Sequence, residues 1–174
     1  MLQPMSDWYW FSENSQLMLS MGKEWQCTTA YGQQQINDLP KTHQLFNLSD
    51  TECYMSLASH LLDSGAKFSD AQFTHILINA TAAMMFHKPV SPKSWFLDEF
   101  ESFGFHNRLA RVANKFNSGV VLVLTDEHTL TTCMLISSKL QLNENKFLRQ
   151  FDLIKLARTR LEPLLADTSS QLTA

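Results

Sequence analysis

Pro89 and Pro92 lie in the stretch Lys88-Pro-Val-Ser-Pro-Lys-Ser-Trp95, directly after the strongest helical pattern in the chain. Proline has no N–H to donate and its ring clashes with the preceding turn, so no helix continues through this stretch. The residue before each proline is pushed out of the helical region too, which makes the segment a stiff, extended exit. The chain is therefore expected to form two blocks, an N-terminal domain over residues 1–90 and a C-terminal domain over residues 91–174. Lys88 and Lys93 hang on the strut between them, and Trp95 closes it. Two spaced cations beside an aromatic ring suit an acidic protein surface. The same element would serve equally as two solvated lysines on an interdomain connection.

Before the strut, Trp8-Tyr-Trp-Phe11 has strong strand propensity, with Trp8 and Trp10 on one face and Tyr9 and Phe11 on the other. A polar turn at Ser12–Ser15 leads to Leu17, Leu19 and Met21 alternating with Gln16, Met18 and Ser20, which predicts a hairpin. Gly22 ends that strand, and Glu24–Thr28 is a candidate third strand; Ala30–Lys41 has no clear period and reads as loop. Two capping boxes follow. Ser49-Asp-Thr-Glu52 opens a helix with an apolar stripe of Tyr54, Leu57, Ala58, Leu61 and Leu62 that ends at Gly65. Ser69-Asp-Ala-Gln72 opens a second, with Phe73, Ile76, Leu77, Ala80, Ala83 and Met84 in helical period until Pro89. The expected N-terminal scaffold is a mixed sheet covered by this second helix.

Beyond Trp95 the pattern changes. Phe100, Phe103 and Phe105 fall among acidic residues without a clean period. Arg108–Phe116, Val120–Thr125 and Leu130–Ser137 read as three strands with short connections, an antiparallel meander. Leu140–Asn145 adds a candidate strand. Phe151–Leu161 reads as a final helix with Leu153, Ile154, Ala157 and Leu161 inward and Lys155, Arg158 and Arg160 on a solvated face, and Asp167–Ala174 reads as a frayed tail. The class that results is α+β.

The search for chemistry excludes more than it finds. A net charge of −3 leaves no basic excess to neutralise nucleic-acid phosphates. No apolar run has the length of a membrane span, and the start of the chain lacks a signal-peptide pattern. The six histidines have no shared metal spacing and no CxxC accompanies them, so no metal or cofactor is expected. Phosphate-cradling glycine motifs and a GxSxG elbow are missing as well. Cys27, Cys53 and Cys133 read as reduced, mostly buried thiols; Cys53, near a helix start, is the one whose acidity a helix dipole could raise.

Four motifs in order, Asp7-Trp-Tyr-Trp-Phe11, Leu17-Met-Leu-Ser-Met21, the Lys88–Trp95 block, and Phe151-Asp-x-Ile-Lys155 with Arg160-Leu-x-Pro163, together resemble the gammaproteobacterial ZapC family of cell division proteins. The likeness spans nearly the whole chain, most weakly over Gly22–Leu48 and Phe96–Asn145. It implies a non-enzymatic, cytoplasmic protein of the division septum that binds the tubulin-like GTPase FtsZ, stabilises lateral association of its filaments and damps its GTP turnover. It implies an N-terminal α/β domain and a C-terminal twisted, β-barrel-like domain. Lys88 and Lys93 match the family's basic partner-binding surface and Leu19 an apolar position of it, with Trp95 as a pocket wall. Composition alone places Leu19 in a core, since alternating strands bury one face. Joining two filaments requires two binding surfaces or a dimer, and a monomer with a contact on each domain is expected. The competing readings are a small cytoplasmic enzyme with an interdomain pocket and an adaptor for another acidic protein.

Overall fold

The computed structural model describes residues 1–93, 95–101 and 107–164. The expectations for Phe103, Phe105 and the tail Asp167–Ala174 lie outside these residues. The chain divides into two compact units, one of residues 1–58 and 68–89, the other of residues 59–67 and the described residues from 90 onward.

The first unit is built on β1 (Trp8–Glu13), β2 (Gln16–Met21), β3 (Gln26–Gly32) and β4 (Gln44–Leu45), in the order β3-β2-β1-β4. Every pairing is antiparallel, so the expected mixed sheet is corrected. Antiparallel order follows from the tight β1–β2 turn, where Asn14 and Ser15 both have positive φ, 50° and 62°, and Glu13 faces Gln16. Trp8, Trp10, Leu17 and Leu19 are buried as the alternation requires. In β2 the alternation fails: Met18 and Ser20 are buried too. β3 runs on through Ala30 to Gly32, where the sequence shows no period.

Two helices follow, α1 (Leu48–Asp63) and α2 (Asp70–Phe86). The first capping box lies two residues earlier than expected. Asn47 Oδ1 accepts the Asp50 amide at 3.1 Å, and Asp50 Oδ2 accepts the Asn47 amide at 2.9 Å. The buried Asp50 also accepts the Trp10 indole N–H at 3.4 Å, so a tertiary contact selects it over Glu52. Tyr54, Leu57, Ala58 and Leu61 are buried as expected, whereas Leu62 is exposed. The Ser69–Gln72 box of α2 is present as read. From Ile76 to Ala83 every residue of α2 is buried, the mark of a helix enclosed on all sides, while Met84 is exposed. α2 packs on β3, where Asn79 accepts the Ala30 amide at 2.7 Å and donates to the His75 carbonyl at 2.9 Å.

The second unit carries β5 (Leu109–Ala113), β6 (Ser118–Glu127), β7 (Leu130–Leu135), β8 (Lys139–Gln141), β9 (Phe147–Arg149), β10 (Leu153–Ala157) and β11 (Glu162–Pro163). Five strands form one antiparallel sheet in the order β10-β7-β6-β5-β11, and β8–β9 is a separate two-stranded ribbon. The predicted final helix is absent. Ile154 and Leu156 are buried alternately along β10, and pairing with β7 overrides the helix propensity of Leu, Lys, Ala and Arg. Its basic side chains are ion-paired: Lys155 with Glu127, Arg158 with Asp126 and Arg160 with Glu99.

The expected barrel is not closed, since the edge strands β10 and β11 do not pair. Yet the chain passes from one edge to the other through a single 3-10 turn, Arg158–Arg160, and Leu161. The five Cα steps from Ala157 to Glu162 reach at most roughly 18 Å, so the sheet must curl strongly. Two contacts of the segment before β5 line this gap: Phe100 N–H donates to the Thr159 carbonyl at 2.7 Å, and Arg160 donates to the Leu97 carbonyl. The enclosed core contains Leu97, Val112, Val123, Leu135, Leu148 and Leu156 among others.

Of the cysteines, Cys27 and Cys133 are buried and burial raises both thiols, Cys27 to about 11. Cys53 is partly exposed and contacts the Met84 sulfur at 3.5 Å. Among the described residues no helix is long and apolar enough to cross a membrane.

Candidate protein-interaction surface

The strut begins where α2 stops. His87, with ψ 139°, turns extended at the helix end, one residue ahead of the Lys88-Pro89 step. The exit is pinned beside the Gln34–Asn37 loop: Asn37 N–H donates to Phe86 O at 2.9 Å and Lys88 N–H to Gln35 O at 2.8 Å. Lys88 Nζ donates to the Gln34 carbonyl at 2.9 Å, which sets the direction of an exposed ammonium that no carboxylate among the described residues neutralises. Lys88 belongs to the first unit; Lys93 and Trp95 belong to the second.

In the second unit the structure brings Lys93 and Trp95 together and adds a residue that the sequence did not single out. Lys93 Nζ lies 5.9 Å from the Trp95 ring centre, and Lys146 Nζ lies 5.0 Å from it. Trp95 is half-buried against the core of this unit, so the indole is fixed while both ammonium groups stay at the surface. Such contacts are worth about 0.5–1 kcal/mol at exposed sites and orient the lysines more than they hold the fold.

Next to Trp95 runs a groove of about 890 Å³ lined by Phe96, Asp98, Lys115, Phe116 and the turn Leu142–Lys146. Two asparagines build it. Asn114 Nδ2 donates to the Gln141 carbonyl at 2.7 Å, and Asn117 Oδ1 accepts the Gln141 amide at 3.2 Å. Asn114 Oδ1 also accepts the Phe116 and Asn117 amides. These bonds set the Asn114–Asn117 turn against β8 and fix both walls. Phe96 is 93% exposed at the rim, and Phe116 is exposed beside Lys115. Among the described residues the lining offers apolar and aromatic surface with two lysines and two carboxylates, and no Ser, Cys or His for nucleophilic catalysis.

Leu19 lies elsewhere. It is fully buried in β2 opposite Trp10, so in this conformation it presents no surface to a partner. The residues missed by sequence reasoning, Lys115, Phe116 and Lys146, share a signal that was legible: the tripeptide Asn-Lys-Phe occurs twice, at 114–116 and 145–147.

Two family models cover this chain: "Cell-division protein ZapC, N-terminal" over residues 1–88 and "Cell-division protein ZapC, C-terminal" over residues 89–167. Similar curated proteins named "Cell division protein ZapC" include one from Pseudoalteromonas atlantica, 36% identical over 96% of each chain. Another, from Shewanella oneidensis, is 35% identical over 95% of this chain and 96% of its own, and one from Pseudoalteromonas translucida is 30% identical over 95% of each.

Proposed function

Because this chain belongs to the ZapC family of cell division proteins, we propose that it is a non-enzymatic adaptor of the division septum that binds FtsZ. On this reading it acts in the cytoplasm as a monomer, promotes lateral association of FtsZ filaments and lowers their GTP turnover. The observation that carries the proposal is Trp95 in contact with both Lys93 and Lys146 at the edge of an aromatic groove. A fixed ring flanked by two cations matches an acidic partner with an apolar anchor. Lys88, aimed outward by its bond to Gln34, supplies a further cation on the other unit. Any contribution of Leu19 runs through the sheet that it packs. Turnover falls if the adaptor binds assembled filaments better than free subunits, which shifts the equilibrium by mass action.

Sedimentation with polymerised FtsZ tests this. The protein is expected to co-pellet and to slow GTP hydrolysis. Lys88→Glu with Lys93→Glu is expected to remain folded, since exposed charges change stability by about ±0.5 kcal/mol, yet to pellet poorly. Raised salt should weaken the wild type in the same direction. Folded wild-type protein that stays in the supernatant at saturation would sink the assignment.

A further inference from the structure

The outward face of the β8–β9 ribbon carries a group of residues that neither the fold nor the groove uses. In this ribbon Lys139 pairs with Arg149, Leu140 with Leu148 and Gln141 with Phe147. Leu140 and Leu148 point into the core, so Lys139, Phe147 and Arg149 share the opposite face. Lys139 Nζ lies 4.2 Å from the Phe147 ring centre, and Arg149 Cζ lies 5.7 Å from the same ring. Phe147 is itself exposed.

Two like charges directly opposite one another on a ladder repel. The cation–ring contacts offset that repulsion at best, each being worth about 0.5–1 kcal/mol when exposed. The arrangement therefore adds little to the ribbon's own stability. Four other cations of this unit are matched by carboxylates, Arg111 with Glu162, Lys155 with Glu127, Arg158 with Asp126 and Arg160 with Glu99. Among the described residues no carboxylate pairs with the side chain of Lys139 or Arg149; Asp152 Oδ2 accepts only the Arg149 backbone N–H, at 2.8 Å. In a chain of net charge −3, a face with two unmatched cations converging on an exposed ring is complementary to an acidic segment. The groove uses Leu142–Lys146 and none of these three residues, so the two surfaces are distinct.

We propose that the outward face of β8–β9 is a second docking site, for an acidic protein segment that lays an apolar side chain on Phe147 and carboxylates on Lys139 and Arg149. The proposal rests on the filament-binding reading above: the segment belongs to a second filament, and two contacts on one molecule give cross-linking. Arg149 offers a planar fork for a carboxylate, Lys139 a point charge. A patch of three residues binds weakly alone, and a polymer's many repeated sites raise its effective strength.

The test uses full-length protein with polymerised FtsZ and two readouts, high-speed pelleting for binding and low-speed pelleting with light scattering for bundles. Lys139→Glu with Arg149→Glu is expected to co-pellet at high speed much as wild type does, while the low-speed pellet falls by about tenfold, the scale of a lost second contact. The neutral pair Lys139→Gln with Arg149→Gln, which introduces no new charge, should fall in the same direction by less. Bundling by a folded Glu variant at the wild-type level overturns the second site. Loss of high-speed binding along with bundling also overturns it, since the face would then be the primary contact. Wild type that fails to co-pellet at all sinks the filament reading instead. Wild-type binding to vesicles of equal parts phosphatidylglycerol and phosphatidylcholine, abolished in a Glu variant that still bundles, would reassign the face to a membrane.

Discussion

Around α1 and β1, aromatic rings meet other rings. Trp8 packs edge-on against Phe46 at 5.5 Å and Tyr54 at 5.9 Å, and Trp10 against Phe86 at 5.3 Å. In the second unit they meet cations instead: Trp95 with Lys93 and Lys146, Phe116 with Lys115, Phe147 with Lys139 and Arg149. Among the described residues its enclosed core is aliphatic apart from Cys133. The same residue class thus does two jobs. In the first unit rings fill volume between a sheet and its helices, where each is anchored on several sides. In the second they lie at the surface and hold long basic side chains in place, which prepares a surface for a partner at little cost to the fold.

The largest break of this contrast is expected at Trp10. Trp10→Ala empties a fully buried site and removes the bond to Asp50, so a loss of about 3–5 kcal/mol is expected, measured by urea unfolding. Phe116→Ala in the same assay should cost no more than about 0.5 kcal/mol. Equal losses would mean that the surface rings are structural after all.

Thr81 sharpens the picture of the first unit. Its hydroxyl is buried in α2, and among the described residues it finds no hydrogen-bond partner. Thr81→Val replaces an unsatisfied oxygen by a methyl group of similar size and should raise stability by about 1 kcal/mol. A drop in the urea midpoint would show that the hydroxyl is satisfied in solution.

A weaker, pH-dependent effect is expected at Asp50. Burial raises its pKa above the ordinary 3.8, against the Asn47 amide and Trp10 indole, which lower it. A carboxyl whose folded pKa is raised takes up a proton more readily in the folded state. Its contribution is fully present below the unfolded pKa and is lost as pH rises through the folded value. Asp50→Asn removes this titration and keeps an oxygen acceptor for the cap. The stability of wild type relative to the variant should therefore be greater near pH 3 than near pH 7. The opposite slope would mean that the helix-end bonds outweigh burial.

How much of this was legible in the sequence differs between the units for physical reasons. The β1–β2 hairpin, both helices and the meander follow from periodicity and turn chemistry, which act locally. Phe151–Leu161 was misread because Leu, Lys, Ala and Arg favour a helix when taken alone. Only the free edge of β7, invisible to local pattern, makes Leu153–Ala157 a strand. The Asn47–Asp50 cap went to a residue chosen by Trp10, again a tertiary contact. At the candidate site the prolines exposed Lys93 and Trp95, but Lys146 lies more than fifty residues along the chain. Bonds from Asn114 and Asn117 to Gln141 set the groove's two turns together, and no spacing rule encodes them.

The smallest effect on stability is expected at Phe96, and it separates the two roles of aromatic rings most sharply. Its ring is 93% exposed at the mouth of the groove, whose lining also includes Phe116 and Lys146. Truncation removes almost no buried area, so Phe96→Ala should change the unfolding midpoint by less than about 0.5 kcal/mol. Exposed aromatics near a pocket are the usual anchors of an interface, and losing one costs about 1.4 kcal/mol or more, a tenfold weakening. FtsZ co-pelleting measured across a concentration series should therefore shift by about that factor. The control is Trp25→Ala in the first unit, a ring also 66% exposed that makes no cation–ring contact among the described residues. It should leave both stability and pelleting near wild type. If Phe96→Ala binds filaments as well as wild type while Trp25→Ala does not, the docking surface lies on the first unit, and the cation-flanked rings of the second are decoration on its fold.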